Sequence, residues 1–187
     1  MQAPALTGRV LTLPNPLTDG TWENHPLPDA ARAPMVLYAG RIHPEKGLDL
    51  LAEAWTKPSV RAALRDWKLG LAGPWAVAQG GGGEEYRAQL EAKFAPAANS
   101  VEWTGPLFGK DGEKLHQLYR RARLFAYPSV AERGESFGLA PLEAMAAGAP
   151  TIVSKLDCFK DFIRPGEDGL VFDHRAANPS AQLAENR

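Results

Sequence analysis

Short, almost unbroken apolar runs alternate along this chain with stretches in which apolar residues return every three or four positions. Met35 to Ala39, Trp67 to Gly73, Leu124 to Ser129 and Thr151 to Ser154 are the short runs, and each predicts a strand. Leu48 to Trp55, Glu84 to Phe94, Glu113 to Arg123 and Leu139 to Ala147 predict helices; in the third of these, Leu115, Leu118 and Tyr119 share one face. The alternation predicts an α/β fold built on a doubly wound parallel sheet. No internal copy recurs at a fixed period, which argues against a solenoid.

Candidate chemistry sits in two of the loops. The string Gly134-Glu135-Ser136-Phe137-Gly138-Leu139-Ala140-Pro141-Leu142-Glu143-Ala144-Met145-Ala146-Ala147-Gly148 follows a strand stopped by Pro128-Ser129 and runs from a charged loop into a helix. Gly148 stands where a left-handed residue ends that helix. Such crossovers are right-handed, and their loops lie at the carboxyl edge of the strands, where open α/β sheets bind ligands. Glu135 belongs to the loop, and Glu143, eight positions on, to the early turns of the helix. A carboxylate accepts paired hydroxyl hydrogen bonds, so both suit a ribose or a hexose. The amides of Phe137, Gly138 and Leu139, with Ser136 beside them, lie at the positive end of the helix and suit a diphosphate.

The earlier string Tyr38-Ala39-Gly40-Arg41-Ile42-His43-Pro44-Glu45-Lys46-Gly47-Leu48 has the same strand, loop and helix order. Gly40 permits a tight turn, and Arg41 and Lys46 frame the loop. Two cations there would neutralise a diphosphate, Arg forking onto two oxygens and Lys acting as a point charge. They would also stabilise the charge that builds on a departing nucleoside diphosphate. Each residue has a plainer reading as a solvated loop or helix charge. The whole string from Gly134 to Gly148, rather than an isolated pair of acids, favours a grip on a sugar nucleotide.

Together the two strings resemble the donor-binding domain of retaining GT-B glycosyltransferases, in particular glycosyltransferase family 4, over roughly Val10 to Asp173. The Gly-Arg-x(n)-Lys-Gly loop of that family is matched by Gly40, Arg41, Lys46 and Gly47. Its E-x7-E motif is matched by Glu135, Glu143 and the Gly148 that closes the string. Val101 to Gly105, Tyr127-Pro128-Ser129 and Gly166 to Phe172 agree in order. The resemblance implies a Rossmann-like sheet forming one half of a GT-B fold. It implies that Arg41 and Lys46 hold the donor diphosphate, Glu143 the ribose and Glu135 the transferred hexose, with Glu135, Arg41 and Lys46 the catalytic set. The reaction implied is front-face departure of the donor, assisted by the leaving phosphate and needing no covalent nucleophile.

Length and composition then bound the picture. The chain has 187 residues, 44% of them hydrophobic and 23% charged, which is enough for one sizeable core. A complete enzyme of this kind has two such domains. Residues 1–34 are therefore expected to be an inter-domain linker and a remnant of a preceding domain, Pro-rich from Asn15 to Pro34. Residues 35–187 are expected to be the donor domain, cut short in its C-terminal helices. A sugar-nucleotide-binding module without transfer activity, or one subunit of a split enzyme, is the alternative; a GT-B-shaped epimerase fits the E-x7-E string less well.

The remaining signals narrow the chemistry. Gly80 to Gly83 lacks the pattern of a P-loop or a dinucleotide fingerprint and reads as a flexible connector. Cys158 is the sole cysteine, so no disulfide framework exists, which fits the cytoplasm. His25, His43, His116 and His174 form no spaced ligand pair, and His43 reads as a solvated loop residue. No Asp-x-Asp triplet occurs, so a metal-bridged diphosphate is not expected and donor binding without metal or other cofactor is. The net charge of −1 gives no nucleic-acid footprint. Arg120, Arg121 and Arg123 read as a solvated helix end, leaving room for a peripheral membrane contact; no apolar run is long enough to span a bilayer. Partners implied are a UDP- or GDP-sugar and, through a missing N-terminal domain, an acceptor glycan or glycolipid. Glu132 is an extra carboxylate that shares the sugar contact in an alternative register, and Lys155 to Phe162 replaces the Gly-rich turn of many relatives.

Overall fold

The computed structural model describes residue 17, residues 27–107 and residues 112–185. Strands β1 (Ala33–Ala39), β2 (Lys68–Ala72), β3 (Val101–Gly105), β4 (Ala122–Tyr127), β5 (Thr151–Ser154) and β6 (Leu170–Phe172) form one sheet in the order β3-β2-β1-β4-β5-β6. Every pairing is parallel. Helices α1 (Leu48–Trp55), α2 (Pro58–Ala63), α3 (Gly83–Phe94), α4 (Gly112–Arg121), α5 (Leu139–Ala146) and α6 (Pro179–Glu185) complete the fold. The expected α/β class and doubly wound parallel sheet are thus realised.

The central strands are buried along most of their length, β5 entirely, because helices cover both faces of a parallel sheet. That is why they read as continuous apolar runs, whereas edge strand β3 alternates half-buried and exposed positions up to Gly105. From β1 the chain steps outward through β2 to β3, then returns to place β4 against the other side of β1. The loops leaving β1 and β4 therefore diverge from neighbouring strands and open a crevice at their carboxyl ends.

Local differences from expectation have identifiable causes. β1 starts at Ala33, two residues before Met35. The helix expected to reach Arg123 ends at Arg121, and β4 follows without a connecting residue. Arg123 is therefore a strand residue and not a solvated helix end: its guanidinium donates to the Arg32 carbonyl at 2.9 Å and lies 5.6 Å from the Trp67 ring. Arg32, in the stretch expected to be linker, is buried. It donates to the carbonyls of Arg120, Ala122 and Ala147, each at 3.0 Å. Carbonyls at helix ends lack intrahelical partners and carry partial negative charge, so one buried cation ties the ends of α4 and α5 together. Most of the expected linker, including Val10 to Pro16, lies outside the described residues.

Candidate functional site

The loops after β1 and β4 interlock by backbone contact. Gly47 has φ 68°, and a Cβ there would stand 1.9 Å from the Pro128 carbonyl oxygen, so only glycine lets the two segments close. The Glu45 carbonyl accepts the Val130 N–H at 2.9 Å and the Ser129 hydroxyl at 3.3 Å. This packing delivers Lys46 to Glu135: Nζ donates to Oε2 at 2.8 Å, with the side chains only 6% and 9% exposed. The Tyr127 hydroxyl donates to the same oxygen at 3.0 Å. Removed from water, each charge requires the other, which fixes the pair.

Beside these loops opens a cavity of about 400 Å³ lined by residues of several elements, among them Gly40, Arg41, Gly73, Pro74, Tyr119, Leu139 and Glu143. Arg41 is stretched across its mouth, donating from Nη1 to the Gly80 carbonyl at 2.8 Å and from Nη2 to Glu45 Oε1 at 2.5 Å. The Tyr38 hydroxyl donates to the Arg41 carbonyl at 2.7 Å. Across the cavity Glu143 accepts the Tyr119 hydroxyl at 3.0 Å. Burial raises the Glu143 carboxyl above its usual range, and the Tyr119 hydrogen bond pulls the other way. A guanidinium and a partly desolvated carboxylate thus face one concave space suited to a ligand with phosphate and hydroxyl groups.

The candidate residues divide into two groups. Gly40, Arg41, Leu139 and Glu143 line the cavity, whereas Lys46, Glu135, Ser136, Phe137 and Gly138 do not. Of the three expected amide positions, only Leu139 reaches the wall. Phe137 turns instead into an aromatic cluster, its ring 5.4 Å from that of Phe162. Gly138, with φ 79°, lies under Phe159, whose ring would be 2.5 Å from an added Cβ. Both phenylalanines come from the Lys155 to Phe162 segment, where a 3-10 turn spans Asp157–Asp161. The Cys158 thiol in that turn is free and half-buried, pushed up to about 11 by burial and by the nearby Glu135.

Several expectations need correction. Glu132, expected as an alternative sugar contact, is paired instead with the segment after β6: Arg175 Nη2 donates to it at 2.6 Å and His174 Nε2 pairs with it at 2.8 Å. Gly80 to Gly83 is no free connector; the N–H groups of Gly82 and Gly83 donate to the carbonyls of Ile42 and Trp75 at 2.8 Å and 2.7 Å. His43 accepts the Glu45 N–H at Nδ1, 3.4 Å away, and so caps the turn that carries Lys46. Glu45, Tyr119 and Tyr127 were not read from the sequence as partners of the site because nothing local distinguishes a partner of a site residue from any other loop or core residue. Among the described residues, no group of three or more His, Cys, Asp or Glu is arranged to hold a metal ion, and no helix is long and apolar enough to cross a membrane.

Against known proteins, the chain is 31% identical over 169 residues to the lipopolysaccharide 1,2-N-acetylglucosaminetransferase of Salmonella typhimurium, covering 86% of this chain and 42% of that protein. It is 34% identical over 151 residues to the phosphatidyl-myo-inositol mannosyltransferase of Mycobacterium leprae, covering 80% of this chain and 35% of that one. The chain therefore spans less than half the length of these relatives. Its fold matches Anabaena Alr3699/HepE, solved in complex with UDP and glucose, with a TM-score of 0.65 at 22% identity over 84% of this chain and 38% of that one. The profile of the glycosyl transferases group 1 family matches residues 23–185, taking in both loops and the crevice between them, and the chain belongs to that family.

Proposed function

We propose that this chain is the donor-binding, C-terminal half of a retaining GT-B glycosyltransferase of family 4, which moves a hexose from a nucleoside diphosphate to an acceptor hydroxyl. The observation that carries this reading is the 2.8 Å contact of Lys46 with Glu135. It joins the two loops, 89 positions apart in sequence, at the switch point of the sheet and beside a cavity bounded by Arg41 and Glu143. Arg41 and Lys46 bind the diphosphate, Glu143 accepts the ribose hydroxyls, and Glu135, once Lys46 turns to phosphate, accepts hydroxyls of the hexose. Gly40 and Leu139 let the ligand approach the backbone at the cavity wall, and Ser136, Phe137 and Gly138 support the loop behind it.

In the reaction, the bond from the anomeric carbon to the diphosphate oxygen breaks with its electron pair leaving on phosphate. The acceptor oxygen bonds from the same face, and its proton passes to the departing phosphate. Arg41 and Lys46 stabilise the charge that develops there. UDP and glucose in the Anabaena neighbour, and the hexosyl groups named in the Salmonella and Mycobacterium relatives, support a nucleotide-hexose donor. The acceptor differs between those relatives and is not assigned.

The test is calorimetric titration of UDP and GDP in the presence of EDTA. Saturable binding of one of them without metal is expected; a requirement for divalent cation would overturn metal-independent binding, and no binding of either would overturn the donor site. Labelled sugar nucleotide turned over only after an acceptor domain is added would support the half-enzyme, whereas binding without turnover under complementation would favour a non-catalytic module.

A further inference from the structure

We propose that two buried tyrosines, Tyr127 and Tyr119, are the positioning residues of this site, each locking one glutamate so that its second oxygen is presented to ligand. The inference rests on the donor-site reading and deepens it. The geometry is the same in both places. The Tyr127 hydroxyl donates to Oε2 of Glu135 and the Tyr119 hydroxyl to Oε2 of Glu143, each at 3.0 Å. Neither Oε1 has a hydrogen-bond partner among the described residues, so a sugar hydroxyl can take that oxygen without displacing the tyrosine, at Glu143 from the cavity and at Glu135 once Lys46 has turned away.

Packing makes the hydroxyls fixed points. Tyr119 and Tyr127 are 1% and 4% exposed. Their rings belong to one continuous aromatic layer: Tyr119 lies 5.6 Å from Phe125, Phe125 6.2 Å from Tyr127, and Tyr127 5.8 Å from Tyr38, whose hydroxyl holds the Arg41 carbonyl. Rings interlocked in this way cannot follow a mobile carboxylate, so the carboxylate is held by the rings. Burial and the adjacent carboxylates push both phenols well above their ordinary range, so each remains an O–H donor at working pH. The two differ in consequence: Tyr119 acts on a carboxylate in the cavity wall, and Tyr127 on one paired with Lys46.

The experiment uses the full chain, with Tyr119→Phe and Tyr127→Phe, each removing one oxygen and leaving the ring. Carbon-13 NMR titration of the glutamate carboxyls reads the hydrogen bonds without ligand, and calorimetry with UDP and UDP-glucose reads the consequence. In Tyr119→Phe the Glu143 carboxyl titrates at higher pH, UDP binds about tenfold more weakly, and the acid limb of UDP binding moves up with the carboxyl. In Tyr127→Phe, UDP affinity stays within about twofold while any advantage of UDP-glucose over UDP is lost. A double-mutant cycle guards against general damage: in a Glu143→Gln background Tyr119→Phe should change UDP affinity little, and full additivity would overturn the proposal. An unmoved Glu143 titration, or equal losses for UDP and UDP-glucose in Tyr127→Phe, would overturn it too. Failure of the wild-type chain to bind either nucleotide sinks the donor-site reading, an outcome distinct from unmoved carboxyls in a chain that does bind.

Discussion

Glu135 sits against the Lys46 ammonium at 2.8 Å in a setting nearly closed to water, whereas Glu143, eight positions on, looks into a cavity of about 400 Å³ with the Tyr119 hydroxyl at 3.0 Å. The two regions handle a buried negative charge differently. In the first, an opposite charge compensates it, so the group is costly to disturb and closed to ligand until Lys46 moves. In the second, a neutral donor compensates it in part, so the carboxyl is shifted upward and one oxygen stays available. The same residue type thus serves as a latch in one place and as an open acceptor in the other.

Removing the cation is the sharpest way to break this contrast. Lys46→Met leaves Glu135 buried without compensation and should cost about 3–5 kcal/mol of stability by urea denaturation at neutral pH. Adding Glu135→Gln should restore much of it; an equally unstable double variant would mean that the pair is not what holds the two loops together.

Arg41 probes the cavity side with less damage to the fold, since its side chain is 41% exposed and its ion pair with Glu45 is worth little to stability. Arg41→Ala should weaken UDP binding by about 1.5–3 kcal/mol, the range for a charge-assisted contact, while the melting temperature barely moves. Unchanged affinity would remove Arg41 from the site.

The next effect is one of sign. Because burial raises the Glu143 carboxyl in the folded chain, the folded state holds its proton to higher pH than the unfolded state does. Its contribution to stability is therefore greatest at low pH and falls as pH climbs from the ordinary glutamate range through the raised value. Glu143→Gln should remove that contribution, read as the difference between variant and wild type in a series of pH-dependent melts, and a difference that does not change with pH over that window would show that Glu143 is not desolvated.

The smallest effect is expected at Glu132, a half-exposed side chain paired with the exposed Arg175 and the largely buried His174. Glu132→Ala should barely lower the melting temperature, less still in salt, and leave UDP affinity unchanged. A large loss of affinity would return Glu132 to the ligand site.

How much of this was legible can be judged residue by residue. The run from Leu48 to Trp55 gave its helix with the right bounds, because a period of three to four and a preceding glycine are local signals. The end of α4 was missed because no glycine or proline separates Arg121 from Ala122, and a half-buried strand residue such as Arg123 resembles a helix-end cation when read alone. Partners fared worse than elements. Glu132 meets Arg175 across 43 positions, and Arg32 meets Ala147 across 115, so neither contact leaves any periodic trace.

Local chemistry, written in order along the chain, determined that strands and helices alternate, that the sheet is parallel, and that basic and acidic groups fall in loops at one of its edges. Only the tertiary structure decided which charges meet. The strand order brings the loops after β1 and β4 side by side, and the close approach at Gly47 sets Lys46 on Glu135 rather than in the cavity. Packing of the tyrosine rings beneath then determines which carboxylate oxygens remain free. Propensity acts over a few residues, whereas desolvation and ion pairing depend on neighbours that folding alone supplies.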